Sequence, residues 1–206
     1  MAAGDPGAGL PPPDHPDRLR WEARYGAGFA PSFAPHPLAV WALALDLPDG
    51  PVADLACGPS GTALLAAARG RQVTAVDISA LALGMLGTEA RRRGLDHLVT
   101  PVEADLATWR PQPGSYALVL CTGFWAQEVF PAAAGAVAPG GLLGWEAFTA
   151  EARQARPSLP PDWCLAAGEP AALLPAGFAV LDQHDRPDRR GLMRRQLLAR
   201  RTPPHQ

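Results

Sequence analysis

Three aspartates carry the chemistry this sequence advertises: Asp54, Asp77 and Asp105, each at or near the carboxyl end of a short, mainly apolar run. Asp54 lies just ahead of a turn of small residues, Ala56-Cys57-Gly58-Pro59-Ser60-Gly61, which an Ala/Leu-rich stretch follows. Asp77 ends the run 72–76, and Asp105 ends the run 98–104. A strand, a tight turn and a helix, with an acid at the tip of the next strand, form half of a nucleotide-binding fold. Glycines in the turn let the backbone approach a ligand closely. The Asp77 carboxylate is placed to accept from both ribose hydroxyls, in charge-assisted bonds of about 1.5–3 kcal/mol each. The turn is not G-x-G-x-x-G, the fingerprint that offers bare N–H groups to a pyrophosphate. Pro59 removes one such donor, and Asp54 repels phosphate. A carboxylate at that position suits an ammonium group, while Asp105 suits an adenine amino group. The three acids together describe a site for a cationic adenosine compound, S-adenosylmethionine.

The elements that must position these acids follow from pattern. Residues 52–56 and 72–76 read as strands, 62–69 as a helix ended by Gly70, and 80–93 as a helix capped by Ser79 and closed by Gly94. Arg91, Arg92 and Arg93 complement that helix's dipole. The run 116–121 is continuously apolar, as a central parallel strand should be. It delivers Cys121, Thr122, Phe124 and Trp125 to the carboxyl edge of the sheet, where ligands of open α/β sheets bind. The two aromatics there either attract a sulfonium or pack the next helix. A helix over 127–138, with Pro131 in its first turns, leads to a strand over 142–148. Glu146 lies inside that strand, and a buried acid needs a partner: an arginine, or the acceptor. Strands over 178–182 and 192–199 form a terminal hairpin that puts an antiparallel strand at the sheet's end.

Upstream, residues 1–16 are Gly- and Pro-rich and are expected to be a disordered tail. Asp17 is expected to cap a helix on which Trp21 and Tyr25, four apart, share a face. That helix either packs on the domain or forms a lid, with Arg24 and Tyr25 over the cofactor. Phe29 follows in a loop and is a candidate for the acceptor pocket. A helix over 37–45 precedes the first strand. The polar, Pro-rich stretch about 149–176, with Trp163, reads as an acceptor-site insertion, and 202–206 as a frayed end.

Four stretches together resemble class I S-adenosylmethionine-dependent methyltransferases: Asp54–Gly61, Val76-Asp77-Ile78-Ser79, Glu103-Ala104-Asp105-Leu106 and Pro139-Gly140-Gly141-Leu142-Leu143. Trp21-Glu22-Ala23-Arg24-Tyr25 and Glu146-Ala147-Phe148-Thr149 are similar to flanking motifs of its tellurite-resistance and thiopurine-like branch, which methylates small molecules. The resemblance covers about residues 17–200. It implies a single domain over 17–201, a Rossmann-like three-layer α/β sandwich with a seven-stranded, mostly parallel sheet and an antiparallel last strand. It also implies S-adenosylhomocysteine as product. Asp54, Ala56, Cys57, Gly58, Ser60 and Gly61 would hold the methionine part, with Arg24, Tyr25, Cys121 and Thr122 nearby. Asp77, Ile78 and Ser79 would hold the ribose, and Asp105 and Leu106 the adenine. Phe29, Phe124, Trp125, Glu146 and Trp163 are left as acceptor-site candidates, and no catalytic residue is assigned. Ser60 and Ala56 depart from the family's usual glycines, and Ala117 from a common aspartate.

Composition narrows the alternatives. The 206 residues suffice for one α/β domain with a substantial core. A net charge of −2 disfavours a general nucleic-acid binder. Lysine is absent, which excludes a P-loop. The histidines and the three cysteines show no zinc spacing, so no metal is expected. An odd, scattered cysteine set suggests a reducing compartment, and the lack of a signal-like start or a membrane-length apolar run suggests a cytoplasmic protein. Oligomeric state is not legible. The rival readings are a non-catalytic nucleotide-binding module, a methyltransferase for RNA or protein, and a dinucleotide oxidoreductase, which the turn disfavours.

Overall fold

A computed structural model describes residues 10–26 and 28–203. Its centre is a mostly parallel sheet in the order β3-β2-β1-β4-β5-β8-β7, with a two-residue strand β6 paired to β5. The strands are β1 (Val52–Leu55), β2 (Val73–Asp77), β3 (Val99–Glu103), β4 (Tyr116–Thr122), β5 (Val137–Thr149), β6 (Cys164–Leu165), β7 (Phe178–Pro187) and β8 (Met193–Arg201). β1 is buried throughout and β4 nearly so, which is why their sequences are apolar without alternation. The expected mixed sheet with an antiparallel last strand is present. The terminal hairpin lies at one end of the sheet, with β8 inserted between β5 and β7 and antiparallel to both. The end position goes to β7.

Helices α2 (Pro37–Ala42), α3 (Gly61–Ala68) and α4 (Ala80–Arg92) cover one face. Their Leu38, Leu64 and Leu86 pack with Val52, Leu118, Leu120, Leu142 and Leu198 of the sheet. The helix α5 (Phe130–Ala136) covers the other face, with Trp109, Trp125 and Trp145 in its core. Helix α5 is shorter than expected and keeps Pro131 in its first turn, where a missing N–H is tolerated. Helix α1 (Pro16–Gly26) begins one residue before the expected cap. His15, not Asp17, serves its start: the Asp17 N–H donates to His15 Nδ1 at 3.3 Å. Residues 1–9 of the expected tail lie outside the described residues, while Pro11 is buried and its carbonyl accepts from Arg18. A short helix α6 (Ala152–Ala155) follows β5. Among the described residues, no helix is long and apolar enough to cross a membrane.

Register places the polar residues. Leu55 pairs with Val76 and with Cys121, so position 56 stands level with Asp77 and Thr122. Thr122 pairs with Glu146, Glu146 with Gln196, and Gln196 with His184. One row therefore crosses six strands at the end where the parallel strands finish. Strands lie about 4.8 Å apart, so Asp77 and Glu146, three spacings apart, are separated by about 14 Å.

The α2 approach to α3 is closed by Gly61. A Cβ there would lie 2.4 Å from the Phe33 carbonyl oxygen and 2.5 Å from the Ala34 carbonyl carbon, both backbone atoms that cannot step aside. Gly61→Ala is expected to destabilise the fold by about 1–3 kcal/mol, read as a lowered urea midpoint with an unchanged slope.

Candidate functional site

The turn after β1 is tied to β2 by the Cys57 N–H, which donates to the Val76 carbonyl at 3.1 Å. Ala56 adopts a left-handed φ of +47°, an arrangement that costs an L-residue about 1–2 kcal/mol. Gly58 takes φ +57° without that cost, and its N–H donates to an Asp77 carboxylate oxygen at 2.7 Å. The other Asp77 oxygen accepts from the Ser79 N–H at 2.9 Å. One buried carboxylate therefore holds two turns together. Burial pushes its pKa above the ordinary value, and backbone hydrogen bonds from Ser79, Gly58 and Ile78 offset only part of that rise.

Ser60 serves two groups at once. Its hydroxyl accepts from the Ala63 N–H at 3.0 Å, capping α3, and donates to Asp54. Asp54 is 1 % exposed. Burial raises its carboxyl to about 7, against the Ser60 hydrogen bond and with the help of the nearby Asp77 charge. Ser79 likewise caps α4, accepting from Ala82, and donates to Glu22 of α1 at 3.0 Å. Glu22 also accepts from the Leu81 N–H at 3.2 Å. It seats α1 on the start of α4, a role that sequence reading missed because its partners lie nearly 60 residues away.

Helix α1 brings Tyr25 over the turn. A Cβ on Gly58 would lie 2.9 Å from the Tyr25 hydroxyl. Burial, then the Asp77 charge, raises the Tyr25 pKa. Tyr25 stacks on Trp21 at 5.8 Å and meets the edge of Phe29 at 5.1 Å. Arg24 is exposed, its guanidinium 5.8 Å from Trp21 and 6.0 Å from Phe29. Ile78 is half-buried between Asp77 and Ser79. Asp105, two residues past the end of β3, accepts from the Ala107 N–H at 2.9 Å and lies 3.5 Å from His15. Asp54, Gly58, Ser60, Asp77, Ser79 and Tyr25 thus surround one turn, with Asp105 on the neighbouring strand end.

Other candidates go elsewhere. The Leu106 side chain and Cys121 are buried in the core, and burial pushes the Cys121 thiol up. Cys57 is held in the same way. Trp125 is 4 % exposed and packs with Phe130 and edge-on against Trp145. It therefore packs in the core and also borders a cavity of about 320 Å³ with Glu128, Asp162 and Cys164. The Phe124 carbonyl accepts from the Trp145 indole N–H at 3.0 Å. Trp163 lies under Arg20 of α1, 4.7 Å from guanidinium to ring, so the 149–176 stretch touches α1. A larger cavity of about 520 Å³ lies off the polar row, against α4, lined by Phe33, Leu81 and Met85 among others.

Glu146 has several partners. It is 3 % exposed and accepts from His36 Nε2 at 3.1 Å, Arg186 at 3.1 Å and Gln196 at 2.5 Å, with Arg194 at 3.5 Å. His36 was not singled out from sequence. Its Nδ1 accepts from the Leu38 N–H, so it caps α2 as well. Burial would raise the Glu146 carboxyl, but His36, Gln196 and Arg194 hold it down at about 2. A depressed carboxylate stabilises the fold fully above its ordinary 4.5 and loses that contribution as pH falls toward 2. Glu146→Gln is expected to lose about 3 kcal/mol at neutral pH, the low end for breaking a buried pair because Arg186 and Arg194 can return to water. Its stability profile between pH 4.5 and 2, followed by chemical denaturation, is expected to be flatter than that of the wild type.

The comparisons bear on this geometry. A family profile described as "Methyltransferase domain" matches residues 52–141, which hold the turn, Asp77 and Asp105. No curated protein matches the chain. Among solved structures, one described as converting a disulfide bond into a thioacetal group during echinomycin biosynthesis is 20 % identical, with a TM-score of 0.70 over 92 % of this chain and 94 % of that one. Magnesium protoporphyrin IX methyltransferase from Synechocystis PCC 6803, with bound SAH, is 18 % identical, with a TM-score of 0.65 over 89 % and 93 %. Geranyl diphosphate C-methyltransferase from Streptomyces coelicolor A3(2), in complex with Mg2+, geranyl diphosphate and S-adenosyl-L-homocysteine, is 15 % identical, with a TM-score of 0.65 over 96 % and 90 %. At such identities the likeness is one of fold. Residues 52–141 match the methyltransferase-domain profile, and the chain shares a Rossmann-like fold with these methyltransferases.

Proposed function

We propose that this enzyme binds S-adenosylmethionine above the β1–α3 turn and transfers its methyl group to a small molecule. One observation carries the reading. The buried acid Glu146 is given two arginines, whereas among the described residues neither Asp54 nor Asp77 has an ion-pair partner, and burial raises both pKa values. Two buried carboxylates left without a cation fit a ligand that brings its own positive charge. S-adenosylmethionine supplies an electrophilic methyl group on a sulfonium. Asp77 would accept from its ribose hydroxyls, Asp54 and the Ala56–Gly61 turn would face the methionine part, and Asp105 the adenine. Tyr25 would cover the turn and keep water out.

Proximity and alignment, worth about 7–11 kcal/mol in favourable cases, then carry most of the rate. Burial raises Tyr25, Cys57 and Cys121, and the donors around Glu146 hold it low, so none of these is poised as a base near neutrality. In this reading Asp54, raised to about 7, is held beside the cofactor's cationic part, and the acceptor arrives already nucleophilic. Relatives of this fold that act on geranyl diphosphate and magnesium protoporphyrin IX support a small-molecule acceptor. The Trp21–Tyr25 and Glu146–Thr149 stretches favour the tellurite-resistance and thiopurine-like branch. In this reading residues 17–201 are one domain with α1 as lid and 149–176 as acceptor-site insertion, working in the cytoplasm, where the free thiols of Cys57, Cys121 and Cys164 stay reduced.

Calorimetry with S-adenosylhomocysteine tests the proposal. Binding is expected in the wild type and its loss in Asp77→Ala; no heat in the wild type, or full affinity in the variant, overturns it. The raised Asp54 pKa gives a second signature. The apo fold loses stability as pH rises from 3.8 toward 7, because across that range the unfolded chain's carboxyl ionises while the buried one keeps its proton. A cationic ligand instead favours the ionised form, so its affinity is expected to weaken about tenfold per pH unit below 7. Asp54→Asn is expected to remove that dependence.

A further inference from the structure

We propose that the acceptor carries an oxyanion, a carboxylate or a group of like charge and shape, held by Arg186 and Arg194 beside Gly123. The inference rests on the methyl-transfer reading and names the substrate class of that site. Arg194 of β8 faces Arg186 of β7 in register and Phe148 of β5 on its other side. Its guanidinium lies 3.9 Å over the Phe148 ring, and its Nη1 lies 3.7 Å from where a Cβ on Gly123 would stand. The Gly123 N–H donates to the Glu146 carbonyl at 2.7 Å, which places this cluster at the carboxyl edge immediately past β4. Along the row β5, where both guanidiniums reach Glu146, lies two strand spacings, about 10 Å, from β1, and β8 and β7, which carry Arg194 and Arg186, lie one and two spacings further.

The balance of donors and acceptors decides the sign of the ligand. Glu146 accepts from His36, Arg186 and Gln196, with Arg194 beside it. Asp188, the other carboxylate against Arg194, accepts from the Arg190 and Leu192 N–H groups and from Arg194 Nε. Each carboxylate already accepts three hydrogen bonds from the chain. Among the described residues the guanidiniums keep more donors in reserve. Each offers five N–H donors. Among the described residues, Arg186 uses only Nη2, and Arg194 leaves Nη2 without a partner. Their side chains are 37 % and 21 % exposed, so these donors reach solvent. A buried carboxylate flanked by two guanidiniums contributes little net stability compared with an apolar core, but it fixes two planar forks that recognise oxyanions in pairs of parallel bonds.

The test compares benzoate with uncharged benzamide, each titrated by calorimetry into protein saturated with S-adenosylhomocysteine. Benzoate is expected to bind at least tenfold more tightly than benzamide. Arg194→Met, which keeps the stack on Phe148, and Arg186→Met, which is at the surface, are each expected to bring the two within about twofold while S-adenosylhomocysteine affinity is unchanged. Equal binding of the pair, binding of neither, or an undiminished preference in both variants overturns the inference. Absence of S-adenosylhomocysteine binding in the same samples counts against the methyl-transfer reading instead, so the two failures are distinguishable.

Discussion

The site depends on one carboxylate. Asp77 sits at the tip of β2 and accepts from Gly58 on one side and Ser79 on the other. Those two N–H groups begin different turns, one leading into α3 and one into α4. Without the carboxylate, both donors would be buried without a partner, at about 1–3 kcal/mol each. With it, the β1–α3 turn is fixed in a shape that needs left-handed φ at Ala56 and Gly58. Ser60 and Ser79 then cap the two helices, and their hydroxyls pass the constraint on to Asp54 and to Glu22 of the covering helix. Turn, helix starts and α1 form one hydrogen-bonded unit.

That unit carries negative charge in a place where charge is costly. Burying Asp54 and Asp77 together raises both pKa values, so the apo site is electrostatically incomplete. The same row holds the opposite case at its far end. Around Glu146 the chain gathers His36, Gln196, Arg186 and Arg194, and the ionised form of the carboxyl is strongly favoured. One sheet edge therefore runs from an unmet need for a cation, over β1 and β2, to a surplus of donors over β5, β7 and β8. A positively charged methyl donor and a negatively charged acceptor would complete the two ends.

The arrangement around the β1–α3 turn was legible in the sequence because it is local. Asp54, Asp77 and Asp105 each end a recognisable apolar run, and Ser60, Gly61 and Ser79 lie within a few residues of the acids they serve. The parallel core was legible for the same reason. What was not legible depends on long-range pairing. Glu22 finds Ser79, His36 finds Glu146 110 residues on, and Arg186 and Arg194 reach Glu146 from strands whose order local pattern does not encode. The hairpin was visible, but nothing in either strand says that β8 rather than β7 pairs with β5. Strand β5 starts earlier than its apolar run because Pro139 and Gly140 enter it through a shifted register with β4. Trp125 was ambiguous since an aromatic at the sheet's edge reads alike as pocket or core, and only the Phe130 and Trp145 contacts decide for the core.

A crystal structure with S-adenosylhomocysteine tests the central claim most directly. The account expects both ribose hydroxyls within hydrogen-bond reach of Asp77, with the amino-acid end beside Asp54 and the Ala56–Gly61 turn. A ligand that touches neither aspartate, lodged for instance in the cavity between Phe33 and Met85, would contradict it.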